Sequence, residues 1–575
     1  MARSAMHRAM LAGERDEAAV YFQLHRPSRM IRNLLCSLLT LATLHHASAQ
    51  ATLVQWGKPF SRALKGAEGD IYTVVDGLFA KDGRHLLYVE EGLTPKVVRL
   101  DALLQPTEEL ALKDHAIDGT KWTGVTALVN DGRMRVLLVS AGKKGCEFGA
   151  AEVSAGAAPA LSGFRKLVSF DMPYMNHPSN TMPVRPLPDP ILFTKGLAYA
   201  QRERLIASPD GEHFLLNHHT QDGKGNKRVG LAWLDKEMTV LWQGTAELPF
   251  EDGKSSIHQI TVSNDGTVRL LLYAFNCKGE EAMGDKNCHE LHLCTITENG
   301  KTVSDVTLEK DFVSSARILE RGGGKVSVAL RYGSLTGQPG LVFTFDPDDP
   351  KLKPTPIATQ RLPSIRKAKL MAYGDPAADP RKPPARTAKV PDEIVDLYAT
   401  PEGLLIVVET FLEYQFMLPV GEALAMRHLS GPVRVSQVQP NDSLGWQKVV
   451  DRALMTTAGQ AYEGSVALPM DGSVLLLHGH TPRGYEAILR AGNEAANTKE
   501  QKPQEPHVLK AAFIGTKDGS ALREGTALMI EDGYTACPMG ALMEWGGTKA
   551  LVKCFDRGSQ YRFAVIDLGK LGEEN

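Results

Sequence analysis

Lys81-Asp82-Gly83-Arg84-His85-Leu86-Leu87-Tyr88-Val89 and Asn130-Asp131-Gly132-Arg133-Met134-Arg135-Val136-Leu137-Leu138-Val139 are one phrase written twice: a turn closing on Gly, then an apolar, β-prone run. The phrase returns at Pro209-Asp210-Gly211, Asn264-Asp265-Gly266, Pro401-Glu402-Gly403 and Met470-Asp471-Gly472, and more loosely at Arg321-Gly322 and Glu531-Asp532-Gly533. Asp-Gly and Asn-Gly accept positive φ and so make the tight turns that join neighbouring antiparallel strands. Its recurrence along the chain marks one supersecondary unit used many times.

The intervening runs read as strands. Val97 to Leu100, Val229 to Leu234, Val240 to Trp242, His289 to Ile296, Val326 to Tyr332, Leu341 to Phe345 and Phe563 to Leu568 are short, rich in Val, Leu and aromatics, and bounded by turn residues. Helical spacing is confined to the stretch around Trp446 to Thr457. Successive phrase glycines lie between 49 (Gly83 to Gly132) and 80 (Gly323 to Gly403) residues apart. A four-stranded propeller blade takes roughly 40 to 50 residues, more with insertions. The reading is therefore all-β: a β-propeller of WD40/YVTN-like architecture with six to eight four-stranded blades, seven favoured, occupying residues 50–575 as one domain.

Met30 to Ala49 carries a positive Arg32, an apolar run of 11 residues (Leu34 to Leu44) and the small-residue box Ala47-Ser48-Ala49. These are the parts of a secretory signal. The run is too short for a bilayer core, which needs roughly 20 helical residues. Cys36 lies inside it rather than after a lipoprotein box. Residues 1–29 are polar, with Arg3, Arg8, Arg15, Arg26 and Arg29, and read as an upstream extension that is not part of the native protein, with Met30 as the start. The expected compartment is exported: periplasm, outer-membrane surface or exterior. Residues 1–49 hold six Arg and three acids, so the remainder has 65 − 6 = 59 basic and 67 − 3 = 64 acidic residues, a net −5. That balance gives no overall attraction to nucleic acid, and no later apolar stretch has the length of an integral membrane segment.

Export makes the six remaining cysteines disulfide candidates, with 15 pairings open in principle. Cys277 and Cys288 bracket a polar loop between two strands. Cys537 and Cys554 end two apolar runs joined around Trp545-Gly546-Gly547, and Cys146 with Cys294 is the remainder. Buried thiols account for the same residues.

Three segments break the pattern and read as insertions. Residues 345–393 contain ten prolines and ten Lys or Arg, and seven acids in the same window weaken a basic-arm reading. Residues 490–507 are polar, with Lys499 and Lys502. Residues 172–190 hold six prolines around His177 and suit a lid over one mouth of the propeller.

Chemical motifs are near misses. His289-Glu290-Leu291-His292 is one residue short of a zinc-protease motif, and on a strand Glu290 and His292 share a face with Cys288 and Cys294. His478-Gly479-His480 alternates correctly for two ligands, without an acid or Cys nearby in sequence. His218-His219 is isolated, and ordinary, partly exposed strand positions explain such histidines. Gly464-Ser465 lacks the second Gly of a nucleophile elbow, and Gly253-Lys254-Ser255 lacks the first Gly of a phosphate loop. Asp346-Pro347-Asp348-Asp349-Pro350 lacks the ligand order of a calcium loop. No catalytic, cofactor-binding or metal-binding residue is assigned, and no cofactor is expected.

The section Val229 to Trp242, followed by Glu247-Leu248-Pro249-Phe250 and Ile260 to Gly266, resembles a segment of large uncharacterised exported proteins of the Bacteroidota. Ile394 to Glu409, a strand–turn–strand ending in Glu, is similar to a later part of them; the match lies mainly in residues 205–345 and 390–480, with Phe250 where that group has Tyr. The resemblance implies a β-propeller-like fold and no established activity. Three readings follow. One is a non-catalytic binding or scaffold protein of the cell envelope, with a protein or glycan partner. A propeller enzyme, a carbohydrate lyase or hydrolase with its site at the axis, is the second. The third is a subunit of an outer-membrane or surface assembly.

Overall fold

The repeated phrase forms the same hairpin in successive antiparallel sheets of a computed structural model of the chain. The structure describes residues 53–571, except 63–71, 92–93, 157, 175–203, 221–222, 276–288, 310–312, 322–324, 333–340, 347–354, 358–391, 418–423, 451, 453, 457–464, 481–507, 530–533 and 557–559. In Asp82, Asp210 and Asp265 the carboxylate accepts the backbone N–H two residues on, from Arg84 (3.0 Å), Glu212 (3.1 Å) and Thr267 (2.9 Å). The following glycines, Gly83, Gly211 and Gly266, take φ of 78°, 71° and 83°. Asp therefore folds the turn and Gly supplies the backbone that an L side chain resists.

Strands β1 (Val54–Trp56) and β2 (Phe60–Ser61) come first in the chain. Blade 1 then follows as β3 (Tyr72–Leu78), β4 (His85–Glu91), β5 (Thr94–Leu100) and β6 (Pro106–Ala111). Blade 2 is β7 (His115–Ile117), β8 (Thr120–Asn130), β9 (Arg133–Ala141), β10 (Cys146–Ala155) and β11 (Pro159–Phe170); β7 pairs with the start of β8. Blade 3 is β12 (Leu205–Ala207), β13 (His213–His219), β14 (Asn226–Asp235) and β15 (Val240–Glu251). Blade 4 is β16 (Ser255–Val262), β17 (Val268–Phe275), β18 (His289–Thr297) and β19 (Thr302–Glu309). Blade 5 is β20 (Val313–Glu320), β21 (Val326–Tyr332), β22 (Leu341–Phe345) and β23 (Thr355–Ile357). Blade 6 is β24 (Asp392–Thr400), β25 (Gly403–Met417), β26 (Leu424–Val438) and β27 (Leu444–Val450), with β28 (Leu454–Thr456) on β26. Blade 7 is β29 (Ser465–Met470), β30 (Ser473–His480), β31 (Val508–Gly515) and β32 (Ala521–Met529). Blade 8 is β33 (Tyr534–Met543), β34 (Lys549–Asp556) and β35 (Gln560–Asp567), completed on its outer edge by β1 and β2.

The count is eight blades, within the expected range but not the favoured seven. Glu531-Asp532-Gly533 is not the eighth phrase: it falls between β32 and β33, outside the described residues. The eighth hairpin is Glu544–Thr548, where Gly546 takes φ 60° without an Asp-Gly pair. The stretch with helical spacing is also strand, β27 and β28.

First strands touch their neighbours around the ring from blade 3 through blade 8 to blade 2, and blades 2 and 3 share a buried cluster that includes Val125, Phe148, Phe214 and Leu234. Alternating strand residues feed both faces of each blade, so the core is a series of seams between blades rather than one centre. The seam between blades 8 and 1 holds Tyr72, Leu87, Leu551 and Phe563, with Phe60 stacked on Tyr561 and Phe563. Ring closure pairs Val54 with Ile566 and Trp56 with Ala564, and the Arg562 guanidinium lies 4.4 Å from the Trp56 ring centroid.

Gly83 and Gly57 separate two costs. A Cβ on Gly83 would meet nothing within 4 Å, but the backbone is left-handed. A Cβ on Gly57 would sit 2.8 Å from the Leu104 Cβ and 3.0 Å from the Leu103 O, at the closing strand. Urea unfolding is expected to show Gly83→Ala destabilised by about 1 kcal/mol and Gly57→Ala by about 2–3 kcal/mol. Equal losses would contradict tight packing at the closure.

Candidate functional site

The two rims of the ring are built differently. One, the turn face, carries the hairpins between first and second strands and those between third and fourth. The other, the loop face, receives second-to-third connections and the links between blades. The chain leaves the described structure at this loop face for residues 175–203, 276–288, 333–340, 358–391, 418–423, 457–464 and 481–507. Of the expected insertions, residues 490–507 and nearly all of 172–190 and 345–393 lie outside the described residues, as does His177.

Charged latches tie the turn face together. Arg135 of blade 2 donates to the Lys236 O (2.7 Å) and pairs with Glu237 (2.6 Å) in a turn of blade 3. Arg321 of blade 5 pairs with Asp442 (2.5 Å) and donates to the Gln439 O (3.2 Å) of blade 6. A recess of about 480 Å³ lies here between blades 6 and 7, with Gln437 braced within blade 6 and Trp446 bonded across to blade 7. Gln437 donates to the Glu402 O at 2.7 Å and Trp446 to the Thr516 O at 3.0 Å.

At the loop face, buried charge anchors the strand ends. The Asp252 carboxylate pairs with Lys227 (2.5 Å) and accepts from the Thr220 hydroxyl (2.9 Å) and the Gly223 N–H (2.7 Å). Between blades 6 and 7, Glu409 pairs with Arg452 (2.6 Å) and accepts from the Ser465 hydroxyl (2.7 Å), while Arg452 Nε donates to the Gly479 O (3.2 Å). His478 stands opposite Ser465 in register, and burial with the nearby Arg452 charge lowers it to about 3. The acid that sequence did not find near His478-Gly479-His480 is thus Glu409, brought to the same seam by a different blade.

Two ionisable groups sit half-buried on first strands. Asp76 follows the bulge after Val74 in β3 and accepts the Gly77 N–H at 2.7 Å; burial raises its carboxyl to about 6 against that hydrogen bond. His258 occupies the corresponding bulge of β16, its Nε2 3.0 Å from the N and 2.8 Å from the O of Ala316 on β20. Burial and the Arg317 charge lower it to about 3. Gln259 accepts from the Ile318 N–H at 2.8 Å, so blade 4 side chains serve the inner edge of blade 5.

The third grouping links blades 2 and 3. The His218 ring stacks on Tyr174 (centroids 5.7 Å) and Phe170 (6.2 Å), and the buried Arg204 guanidinium lies 6.0 Å from the Tyr174 centroid. His218 and His219 are buried rather than partly exposed.

Glu290, His292 and Cys294 do share a face, and β19 adds Asp305: the His292 ring nitrogens lie 3.2 Å from Glu290 and 3.1 Å from Asp305. Among the described residues no group of three such side chains is arranged to hold a metal ion. The disulfide expectations are corrected where they can be seen. Cys537 and Cys554 are thiols, and in register Cys537 faces Lys553 while Cys554 faces Ala536. They project from opposite faces of the sheet, so the hairpin cannot bridge them. Cys146 and Cys294 are thiols on blades 2 and 4, with blade 3 between. Cys277 and Cys288 lie outside the described residues.

No protein-family model and no curated protein matches the chain. Among solved structures, prolyl oligopeptidase B from Galerina marginata bound to a 35mer hydrolysis and macrocyclization substrate is similar at TM-score 0.37 and 10% identity, over 89% of this chain and 56% of that one. The chain thus spans about half the length of that protein. A mutant of the Synechocystis apocarotenoid oxygenase is similar at TM-score 0.34 and 11% identity, over 82% and 92%. Likenesses this weak carry no argument, and the propeller rests on strand order and pairing.

Asp76 and His258 shift stability in opposite directions. Asp76 has a folded value above its ordinary 3.8, so the folded state holds its proton and loses stability as pH rises from about 4 to 6. His258 has a folded value below its ordinary 6.5, so its contribution is complete above that pH and is lost as pH falls toward 3. Asp76→Asn is expected to stabilise the protein by about 2 kcal/mol at pH 7.5, with the gain vanishing below pH ~4. Thermal unfolding across pH checks this, and a gain unchanged at low pH would contradict it.

Proposed function

We propose that this is an exported, non-catalytic binding protein of the cell envelope whose loop face receives a protein or glycan. The unequal construction of the two faces carries the reading. Inter-blade latches and mostly short turns close one side, while most of the long connections depart from the other, beside strand ends pinned by Lys227–Asp252 and Glu409–Arg452. A rigid ring presenting variable segments is how scaffolds position binding loops. Export rests on the Met30 to Ala49 signal, and the resemblance to exported Bacteroidota proteins agrees with it. Mass spectrometry of the protein recovered from its native host is expected to find Gln50 at the N-terminus; a retained residue 30–49 segment would remove the basis for export.

A second reading, a carbohydrate lyase or hydrolase acting at the axis, draws on Asp76 and His258. Both are ionisable, shifted and placed on first strands. One experiment separates the two. The chain from residue 50 is incubated with acidic and neutral polysaccharides, and retention, reducing ends and unsaturated products are measured. Retention of an intact polymer, or binding of an envelope protein without turnover, is expected. Cleavage that is abolished by Asp76→Asn would replace the binding reading with the enzyme.

A further inference from the structure

Gln437 of β26 and Trp446 of β27 face each other in register, beside a bulge that leaves Gly445 without a partner. Both line the recess of about 480 Å³ at the turn face, a size within the range of small-molecule sites. Bulges re-aim side chains, and this one needs its glycine: a Cβ on Gly445 would lie 1.8 Å from the Gln437 Oε1. A second glycine serves the blade 7 wall, where a Cβ on Gly519 would lie 2.5 Å from the Trp446 ring. Trp446 is held by its N–H on the Thr516 O and Gln437 by its amide on the Glu402 O. The indole and the amide are therefore fixed before any ligand arrives.

One acceptor in this frame is left over. Glu402 lines the recess, and its Oε2 is enclosed and makes no hydrogen bond. An enclosed carboxylate oxygen without a donor is unfavourable, and a ligand that donates to it recovers that loss. Asp518, the other carboxylate of the recess, is already engaged. Ser520 donates its N–H (2.9 Å) and its hydroxyl, which hold the Asp518 carboxyl below its usual range. The Gln439 amide oxygen accepts from the Ser443 hydroxyl (3.0 Å), and its NH2 faces no acceptor among the described residues. Lys517 adds an ammonium on the exposed rim.

Glu402 and Lys517 balance in charge, so the recess suits a neutral ligand that both donates and accepts. Hydroxyl groups do both, and the C–H face of a sugar ring is an apolar surface for an indole. Gln439, Pro440, Gly445 and Lys517 are exposed, so the ligand can be a residue within a longer chain. We propose that this recess is a subsite for one neutral sugar residue, with Trp446 as its platform, Glu402 accepting from a hydroxyl, and Lys517 and Gln439 donating. It lies on the face opposite the one assigned above to the main partner, and it stands whether or not that assignment does.

Maltotriose, cellotriose and mannotriose are the probes, with acidic trigalacturonate as the control, titrated against the purified protein by calorimetry. Saturable binding of at least one neutral trisaccharide is expected, and it should shift one indole N–H resonance, the one lost in Trp446→Phe. Glu402→Gln should melt with the wild type and weaken binding about tenfold, because a charged acceptor becomes a neutral one. Lys517→Ala should weaken it about threefold to fivefold. The proposal is overturned if none of the three neutral sugars binds, if trigalacturonate binds equally well, or if Glu402→Gln melts far below the wild type, which would make that carboxylate structural. Binding unchanged in both Glu402→Gln and Lys517→Ala would overturn it too, by placing the sugar elsewhere, and would leave the loop-face reading intact.

Discussion

A propeller blade has two apolar faces and can cover both only if the ring closes. Every seam in this protein therefore depends on the few residues by which the start of the chain joins its end. Val54–Trp56 is only three residues of strand, yet it completes the sheet made by Tyr534–Met543, Lys549–Asp556 and Gln560–Asp567. The closure is reinforced beyond the ladder. Arg562 Nε donates to the Gly57 O at 2.7 Å, and Phe60 fills the space between Tyr72 and Tyr561. Linking residues near 54 with residues near 566 closes the longest loop the chain has, which is costly in entropy and must be repaid by the whole ring at once. Cooperative closure is the physical reason that one missing strand would expose two blades rather than one.

The same constraint explains what could be read from sequence. Hairpin turns are local, so their chemistry is written in adjacent residues: Asp265 accepts from Thr267, and Gly266 takes the left-handed backbone. Six such phrases sit at equivalent positions in six blades. The eighth turn uses Glu544-Trp545-Gly546-Gly547, with no Asp-Gly, and its blade borrows its outer strand from residues some 500 positions earlier. Turn counting therefore loses a blade at the point where closure is non-local. Cysteine pairing failed for a related reason. Two cysteines flanking a hairpin look opposed in sequence, but a shift of one residue in register sends Cys537 and Cys554 to opposite faces.

Polar groupings were less legible because each joins residues far apart in sequence, some of them across a seam. Glu409 was visible as a Glu ending a strand, but not its partners: Arg452, some 40 residues on beyond the fourth strand of the same blade, and Ser465 on the next blade. Asp252 lay beside the phosphate-loop near miss Gly253-Lys254-Ser255, and its actual work is to hold Lys227, Thr220 and Gly223. Asp76 and His258 had no motif at all. Their shared signal is a bulge in the first strand, which turns a side chain out of the regular alternation. A bulge is invisible without a known partner strand.

Placement of charge distinguishes the two rims further. On the turn face, Arg135 and Arg321 each find an acid and a carbonyl on the next blade, so the donors are satisfied and the rim is locked. On the loop face the same residue type recurs with different company. Arg452 has Glu409 and the Gly479 O, at the seam of blades 6 and 7. Arg269 of blade 4 is likewise paired with Glu320 of blade 5, so paired arginines recur at seams around the ring. Burial would disfavour such charges in any protein unless they were paired. A propeller can retain them because the apolar seams on either side, held by the closure of the ring, fix both partners of each pair in place.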